Sequence, residues 1–373
     1  MAVNAPRLPR LRGFLFLSQF LAKYLRVCVV MRFSYILILW SVTACNHPPT
    51  ITVEPVNSNS SNLLQAISIV DEHVAWVSGH QATFLRTQDG GESWEAFTHS
   101  VDSLQFRDVH AFDRDNVLLM SAGIGAASGI YLFSAKTGWE KTYTMPYDSG
   151  FLNTIEFWDH QTGLAFGDSF NGQLFVLKTN DGGMHWTRIN PSVLPAAGKG
   201  EGGFAASGTC ITTQPGGKAW IGTGAGGHSR VLYTADYGSS WTPHPSPMPK
   251  GDAAGIFSIR MANDTLGILA GGDLGATPDY SNNLAMTVDG GRSWQLKGPP
   301  VTKGTFYGTE LMHTRKGLLW VVCGPKGMDY SLDGGSSWKT LDTLNYWAVR
   351  LDPSGFGYAV GTEGKISRIR FDL

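Results

Sequence analysis

An eight-residue phrase recurs five times along the chain: TQDGGESW at 87–94, TNDGGMHW at 179–186, TADYGSSW at 234–241, TVDGGRSW at 287–294 and SLDGGSSW at 331–338. The shared pattern is Ser/Thr-x-Asp-x-Gly-x-x-Trp. Its aspartates, Asp89, Asp181, Asp236, Asp289 and Asp333, are separated by 92, 55, 53 and 44 residues. The first gap is twice 46, and a decayed copy, FSAKTGWEK, lies midway, keeping Ser134, Gly138 and Trp139 but with Lys136 where the Asp would be. A period of this length marks a chain built from repeated supersecondary units.

Each octapeptide reads as a hairpin turn. Its glycines supply the positive φ that other residues reach only at a cost. The Asp carboxylate and the Ser or Thr hydroxyl bond the turn backbone. Trp94, Trp186, Trp241, Trp294 and Trp338 are expected to fold back over their turns and bury a large apolar area. Any one of the five aspartates, taken alone, looks like an acid for catalysis or metal binding. Their identical turn contexts assign them to structure instead.

A second period runs alongside the first. Seven aliphatic segments end in or near Gly (HVAWVSG, NVLLMSAG, TGLAFGD, KAWIGTG, GILAGGD, GLLWVVCG, GYAVGTE), and each follows another short strand, such as AISIVDE or TIEFWDH. Each unit is then four strands, the blade of a β-propeller. Seven units of about 46 residues need about 322, and 329 residues run from Cys45 to the end. The last unit stops after KISRIRF, so ITVEPV at 51–56 is expected to supply its outer strand. The expected fold is all-β: a seven-bladed propeller over 64–373, closed by an N-terminal strand. Composition agrees, with 46 Gly, 12 Trp and only 16% charged residues. That much Gly weakens helix interiors, and disordered chains are poor in aromatics. Lys plus Arg is 29 against 30 for Asp plus Glu, so no basic surplus points to a nucleic-acid partner.

Residues 1–45 read as a targeting region. MRFSYILILWSVTAC at 31–45 has a basic start, a short apolar run and small residues before Cys45, the pattern of a secretory signal. The apolar run is too short to span a membrane, and the preceding 30 residues read as sequence upstream of a true start at Met31, the alternative being one long cleaved signal that gives the same mature protein. The segment resembles a bacterial lipobox, which implies acylation of Cys45 and an exported, membrane-anchored protein. Asn46 rather than Asp at the next position implies the outer membrane or its periplasmic face. Residues 46–63 form a Pro, Ser and Asn tether that contains the closing strand. Cys210 and Cys323 make no disulfide framework and read as small buried residues.

The octapeptides resemble the Asp-box (BNR) repeat of sialidases, sortilin-type receptors and the photosystem II stability and assembly factor propellers. The resemblance covers 60–373, and GLAFGDSFNGQLFVLKTNDGGMHW looks closest to the assembly-factor group and its non-photosynthetic bacterial relatives, some labelled oxidoreductase. It implies a lipid-anchored, non-catalytic binding or assembly scaffold for a protein or glycan partner, with no cofactor and no metal. The alternative it implies is a sialidase-like or other glycan-cleaving hydrolase. Sialidases use an arginine triad with a Tyr nucleophile backed by a Glu, and Arg260, Arg350, Tyr346 and Glu310 are a partial set. Their Arg-Ile-Pro motif before the first blade is missing here.

Other enzyme signatures fail on context. Gly222 to Gly227 spell GxGxxG, but HSRVLYTADYG follows as a strand, not the helix a dinucleotide needs. No CxxC, HExxH or GxSxG occurs. GGDLGATPDYSNN offers Asp273, Asp279, Asn282 and Asn283 as oxygen ligands, without the spacing of an EF-hand. KGEGGFAASGTC at 199–210 reads as a close-packed loop entering blade four. Aligning the seven first strands puts Ser68, His110, Glu156, Cys210, Arg260, Glu310 and Arg350 at one position facing the central channel. With Tyr346 beside them, His110, Glu156, Arg260, Glu310 and Arg350 form the candidate binding ring. Two Arg beside one neighbouring Glu leave local positive charge for an anionic or hydrogen-bonding group; the competing reading is an ion-pair network that neutralises itself.

Overall fold

The computed structural model describes Met1, 50–276 and 282–373. The targeting region with Cys45, and Asp279, lie outside the described residues. Thr50–Leu373 folds as one compact unit of seven four-stranded antiparallel sheets. Blade one covers 64–98, two 106–144, three 152–188, four 211–245, five 254–296 and six 308–342. In these six blades the strands are ordered as they occur in the chain, with the first innermost. The first strands of successive blades touch in a closed ring, the last returning to the first.

The seventh blade is built as the sequence predicts. Tyr346–Leu351, Phe356–Gly361 and Ile366–Asp372 supply its inner three strands, and Thr50–Val56 pairs antiparallel with Ile366–Asp372 as the fourth.

Side chains alternate across a strand, so each blade has two faces, and both are buried between neighbours. Seven apolar clusters result, one in each seam between adjacent blades. This is why the second strands read as continuous apolar runs: Ala75–Gly79 is buried at all five positions.

The repeated octapeptide fastens each seam. In the fourth copy, Thr287 Oγ1 donates to Asp289 Oδ1 at 2.7 Å, Gly291 N–H donates to Thr287 Oγ1 at 2.9 Å, and Ser293 N–H donates to Asp289 Oδ1 at 3.0 Å. The residue before the Trp completes the box. Ser93, Ser240, Ser293 and Ser337 donate their hydroxyls to the second carboxylate oxygen, and His185 Nδ1 holds the same place at 2.7 Å. Both turn glycines have positive φ, and a Cβ at Gly183 would stand 2.5 Å from Leu118 Cδ1 of the preceding blade. Tyr237 takes the first glycine's place at φ 56.

Fixed in this way, Trp94, Trp186, Trp241, Trp294 and Trp338 each lie in the seam to the preceding blade. The decayed copy keeps the packing without the box. Trp139 lies 5.1 Å from Phe84 of blade one, while Lys136, which replaces the Asp, pairs with Asp115 at 3.4 Å. Blade seven has no box, and its seam to blade six is filled by Ile51, Val53 and Phe371 instead.

Two expectations follow. Trp294→Ala should cost about 3–5 kcal/mol in chemical denaturation, the range for truncating a buried aromatic. Arg292→Ala, exposed on the same turn, should stay within about 0.5 kcal/mol.

The second concerns acid. The Ser337 hydroxyl first, then the Ser337 N–H, the Ser331 hydroxyl and the Ser336 N–H, outweigh burial and hold the Asp333 carboxyl down at about 2. The matching donors overcome burial and lower Asp89, Asp181, Asp236 and Asp289 as well. A carboxyl lowered on folding stabilises fully above its unfolded value, near 3.9, and loses that contribution as pH falls through its folded value. The stability gap between wild type and Asp333→Asn should therefore be constant above about pH 5. It should close between about pH 4 and 2.

Candidate functional site

At the end of the channel near the box turns, the inner strands align most of the ring read from the sequence. Ser68, His110, Glu156, Arg260 and Arg350 pair with Trp76, Leu118, Leu164, Ile268 and Tyr358 of their second strands. Glu310 joins them from blade six, opposite Val321. In blade four the position belongs to Thr212, which pairs with Trp220 as Ser68 pairs with Trp76. Cys210 lies two residues earlier, wholly buried in the seam between blades three and four, where burial pushes its thiol up to about 12.

The ring's charges are spent on one another. Arg260 Nε donates to Glu310 Oε1 at 2.5 Å, and Glu310 is only 2% exposed. Arg350 stands 3.9 Å from Glu310 and 3.9 Å from Glu156. Arg350 comes from blade seven and Glu156 from blade three, so this contact crosses the channel. Two Arg and two Glu thus meet at the channel.

The neighbouring groups fit a neutral strut. Glu310 raises the Arg260 guanidinium, whereas burial raises the Glu156 carboxyl despite Arg350 and Arg260 nearby. His110 stacks on Phe157 at 4.4 Å; burial, then the charges of His160 and Arg350, bring it down to about 3, so it adds no charge. Tyr346 does not join the ring. It is wholly buried in the seam between blades six and seven, its hydroxyl donating to Asp342 at 2.7 Å and lying 2.8 Å from Ser367 Oγ. Arg260, Arg350 and Glu310 therefore do not converge with Tyr346 on one cleft, as a sialidase-like set would.

The two Glu predict different losses. Glu310→Gln strips a buried partner from Arg260 and should cost about 3 kcal/mol or more in urea denaturation. Glu156→Gln should cost less than about 1 kcal/mol, because burial already disfavours its charge.

The opposite mouth of the channel, where each blade's first strand begins, holds a second ring that sequence reasoning missed. In five blades the inner strand shifts register by one residue near its start, which frees Gln65, Arg107, Asn153, Phe257 and Trp347 from pairing. Tyr307, whose N–H donates to the Cys323 carbonyl, takes the corresponding place in blade six.

Blade four contributes a plug instead. Residues 202–210 lie across the mouth. Asp168 Oδ1 accepts from Gly203 N–H, Phe204 stacks on Phe257 at 3.8 Å, and the Ala206 carbonyl accepts from Gln65 Nε2 at 3.5 Å. Ser207 Oγ donates to the Tyr307 carbonyl at 2.6 Å. A Cβ at Gly208 would stand 2.1 Å from Asp108 Oδ1. Blades one, two, three, five and six are all touched.

At the plug's base, Glu201 is wholly buried and takes both Arg230 Nε and Nη2 at 2.8 Å, with Thr223 Oγ1 at 2.8 Å. Thr223 belongs to the GxGxxG stretch, which turns directly into the strand Arg230–Thr234 and so packs the plug's base. The close-packed loop read at 199–210 is thus a stopper for the whole ring. One signal was visible: 22 residues, 189 to 210, separate the strands here, against 7 or 8 at the preceding and following junctions.

In the loop GGDLGATPDYSNN, Asp273 accepts from Gly275 N–H at 2.8 Å and Asn283 donates to the Gly304 carbonyl at 2.6 Å. Both side chains are used in holding the loops.

The two faces of the ring differ. Nine large apolar side chains of the described propeller residues are exposed, and six stand on loops or turns at the plugged end: Val101, Ile124, Val193, Leu274, Val301 and Leu344. The other face carries the five box carboxylates.

No protein-family model matches the sequence, and no curated protein matches it. Solved structures match in fold. A YCF48 propeller bound to a D1 peptide superposes with a TM-score of 0.61 at 17% identity, over 89% of this chain and 100% of that one. YCF48 from Cyanidioschyzon merolae gives 0.60 at 14%, over 85% and 98%. The WD40 β-propeller domain of Doa1 gives 0.56 at 11%, over 86% and 97%. At these identities the likeness is one of architecture, that of the photosystem II assembly-factor propellers among others.

Proposed function

We propose that the protein is a non-catalytic binding scaffold that holds a protein partner against the plugged face of its ring. The observation that carries this reading is that six of the nine exposed large apolar side chains of the described propeller residues stand on loops of that face, where each offers apolar area to a partner laid across the ring. The plug gives the face a closed floor, so a partner lies across the ring and does not thread through it. A propeller of the same architecture, YCF48, takes a D1 peptide, and this chain is read as offering the same kind of service to its own partner. The lipobox-like VTAC adds an address: export, with an acyl anchor at Cys45 on the outer membrane or its periplasmic face.

Both parts are testable. A photo-crosslinking residue at Val301, on the plugged face, should capture a discrete protein in intact cells, while one at Val288, on a box turn, should not. Capture from Val288 alone would put the partner on the wrong face. Cys45→Ala should move the mature protein from membrane to soluble fractions, because acyl chains supply the membrane affinity. A wild type that incorporates no labelled fatty acid would remove the anchor from the proposal.

A further inference from the structure

Arg107 stands apart from the other inner-strand arginines. Arg260 and Arg350 face carboxylates. Arg107 is half-buried at the plugged mouth, and its Nε, at 3.0 Å, and Nη2, at 2.5 Å, both rest on the neutral Oε1 of Gln105. Among the described residues no carboxylate oxygen lies within 4.0 Å of its nitrogens. A sheltered charge without a counterion is costly to keep, and burial indeed lowers this guanidinium's pKa.

The same mouth offers a second feature. Tyr307 and Trp347, both half-buried, form an aromatic pair with centroids 4.9 Å apart. Between Arg107 on blade two and Trp347 on blade seven lies blade one, where Gln65 is capped by the plug. One extended chain can occupy both.

We propose that this mouth binds an extended segment of the partner protein, seating an Asp or Glu carboxylate on Arg107 and an apolar side chain on the Tyr307–Trp347 pair. The inference rests on the plugged face being the partner face. The uncompensated cation selects an acid, and the aromatic pair selects its apolar neighbour.

The test uses seven-residue fluorescein-labelled peptides in a Gly-Ser background. Asp is fixed at the centre, Leu or Phe is placed one to three residues to either side, and each peptide has a twin with Asn for Asp. Fluorescence anisotropy on the whole propeller should show at least one Asp peptide binding tenfold or more tighter than its twin. Arg107→Gln should abolish the difference without lowering Tm, because it removes a charge that has no counterion. Arg107→Lys should keep part of the difference, and Arg315→Gln, exposed on the other face, should leave it intact. Equal binding of the twins, no binding by any peptide, or discrimination that survives Arg107→Gln would overturn the proposal. If the peptides fail while Val301 still captures a protein in cells, the face stands and the site within it falls. If Val301 captures nothing while the twins separate as expected, the mouth binds such peptides and the scaffold reading falls.

Discussion

Everything in this ring depends on burying both faces of every sheet. A lone four-stranded blade has two apolar faces and nothing to cover them, so its stability lies in the seams it shares with its neighbours. Five of the seven seams use the same fastener, a Trp held in place by an Asp-anchored turn and pressed on the preceding blade, and a sixth keeps the Trp, Trp139, without the Asp. The turn's hydrogen bonds spend backbone and carboxylate groups locally, and the apolar gain is delivered across the seam. The seam between blades six and seven has no box Trp and is made instead with Ile51 and Val53 of the N-terminal strand and with Phe371.

How much of this could be read from the residues differs by level. The blade count, the box turns and the closing strand were legible because each is a periodic or local signal: Thr287, Asp289, Gly291 and Trp294 lie within eight positions and interact with one another. The role of Ser293 and its equivalents was also within reach, since Ser or His precedes every boxed Trp. The channel was only half legible. Strand alignment put Arg260, Glu310 and Arg350 together correctly, but alternation cannot show that Arg350 reaches across the axis to Glu156. It also slipped by two residues at Cys210, because the inner strand of blade four follows a loop with no apolar rhythm.

The second mouth escaped for a different reason. Gln65, Arg107, Asn153, Phe257, Tyr307 and Trp347 share a place in space but not a residue type, and their common cause is a one-residue irregularity in pairing. Bulges of this kind re-aim side chains at the rims of closed sheets, and no composition rule marks them. The plug has the same character: its contacts reach five blades through backbone carbonyls, small residues and a single ring, none of them a motif.

One consequence of the shared seventh blade concerns the order of assembly. Blades one to six can each form as soon as their own strands exist, since every pairing within them is local in sequence. Blade seven cannot, because Thr50–Val56 must wait for Ile366–Asp372, the last of the ring's strands to be made. Until then the chain is an open arc with two bare sheet faces, and contacts that span a whole chain are the slow ones to form. Through that interval the unpaired first strand and the uncovered sides of blades one and six are the surfaces most exposed to mispairing, which makes the newly made arc, not the finished ring, the form most in need of protection.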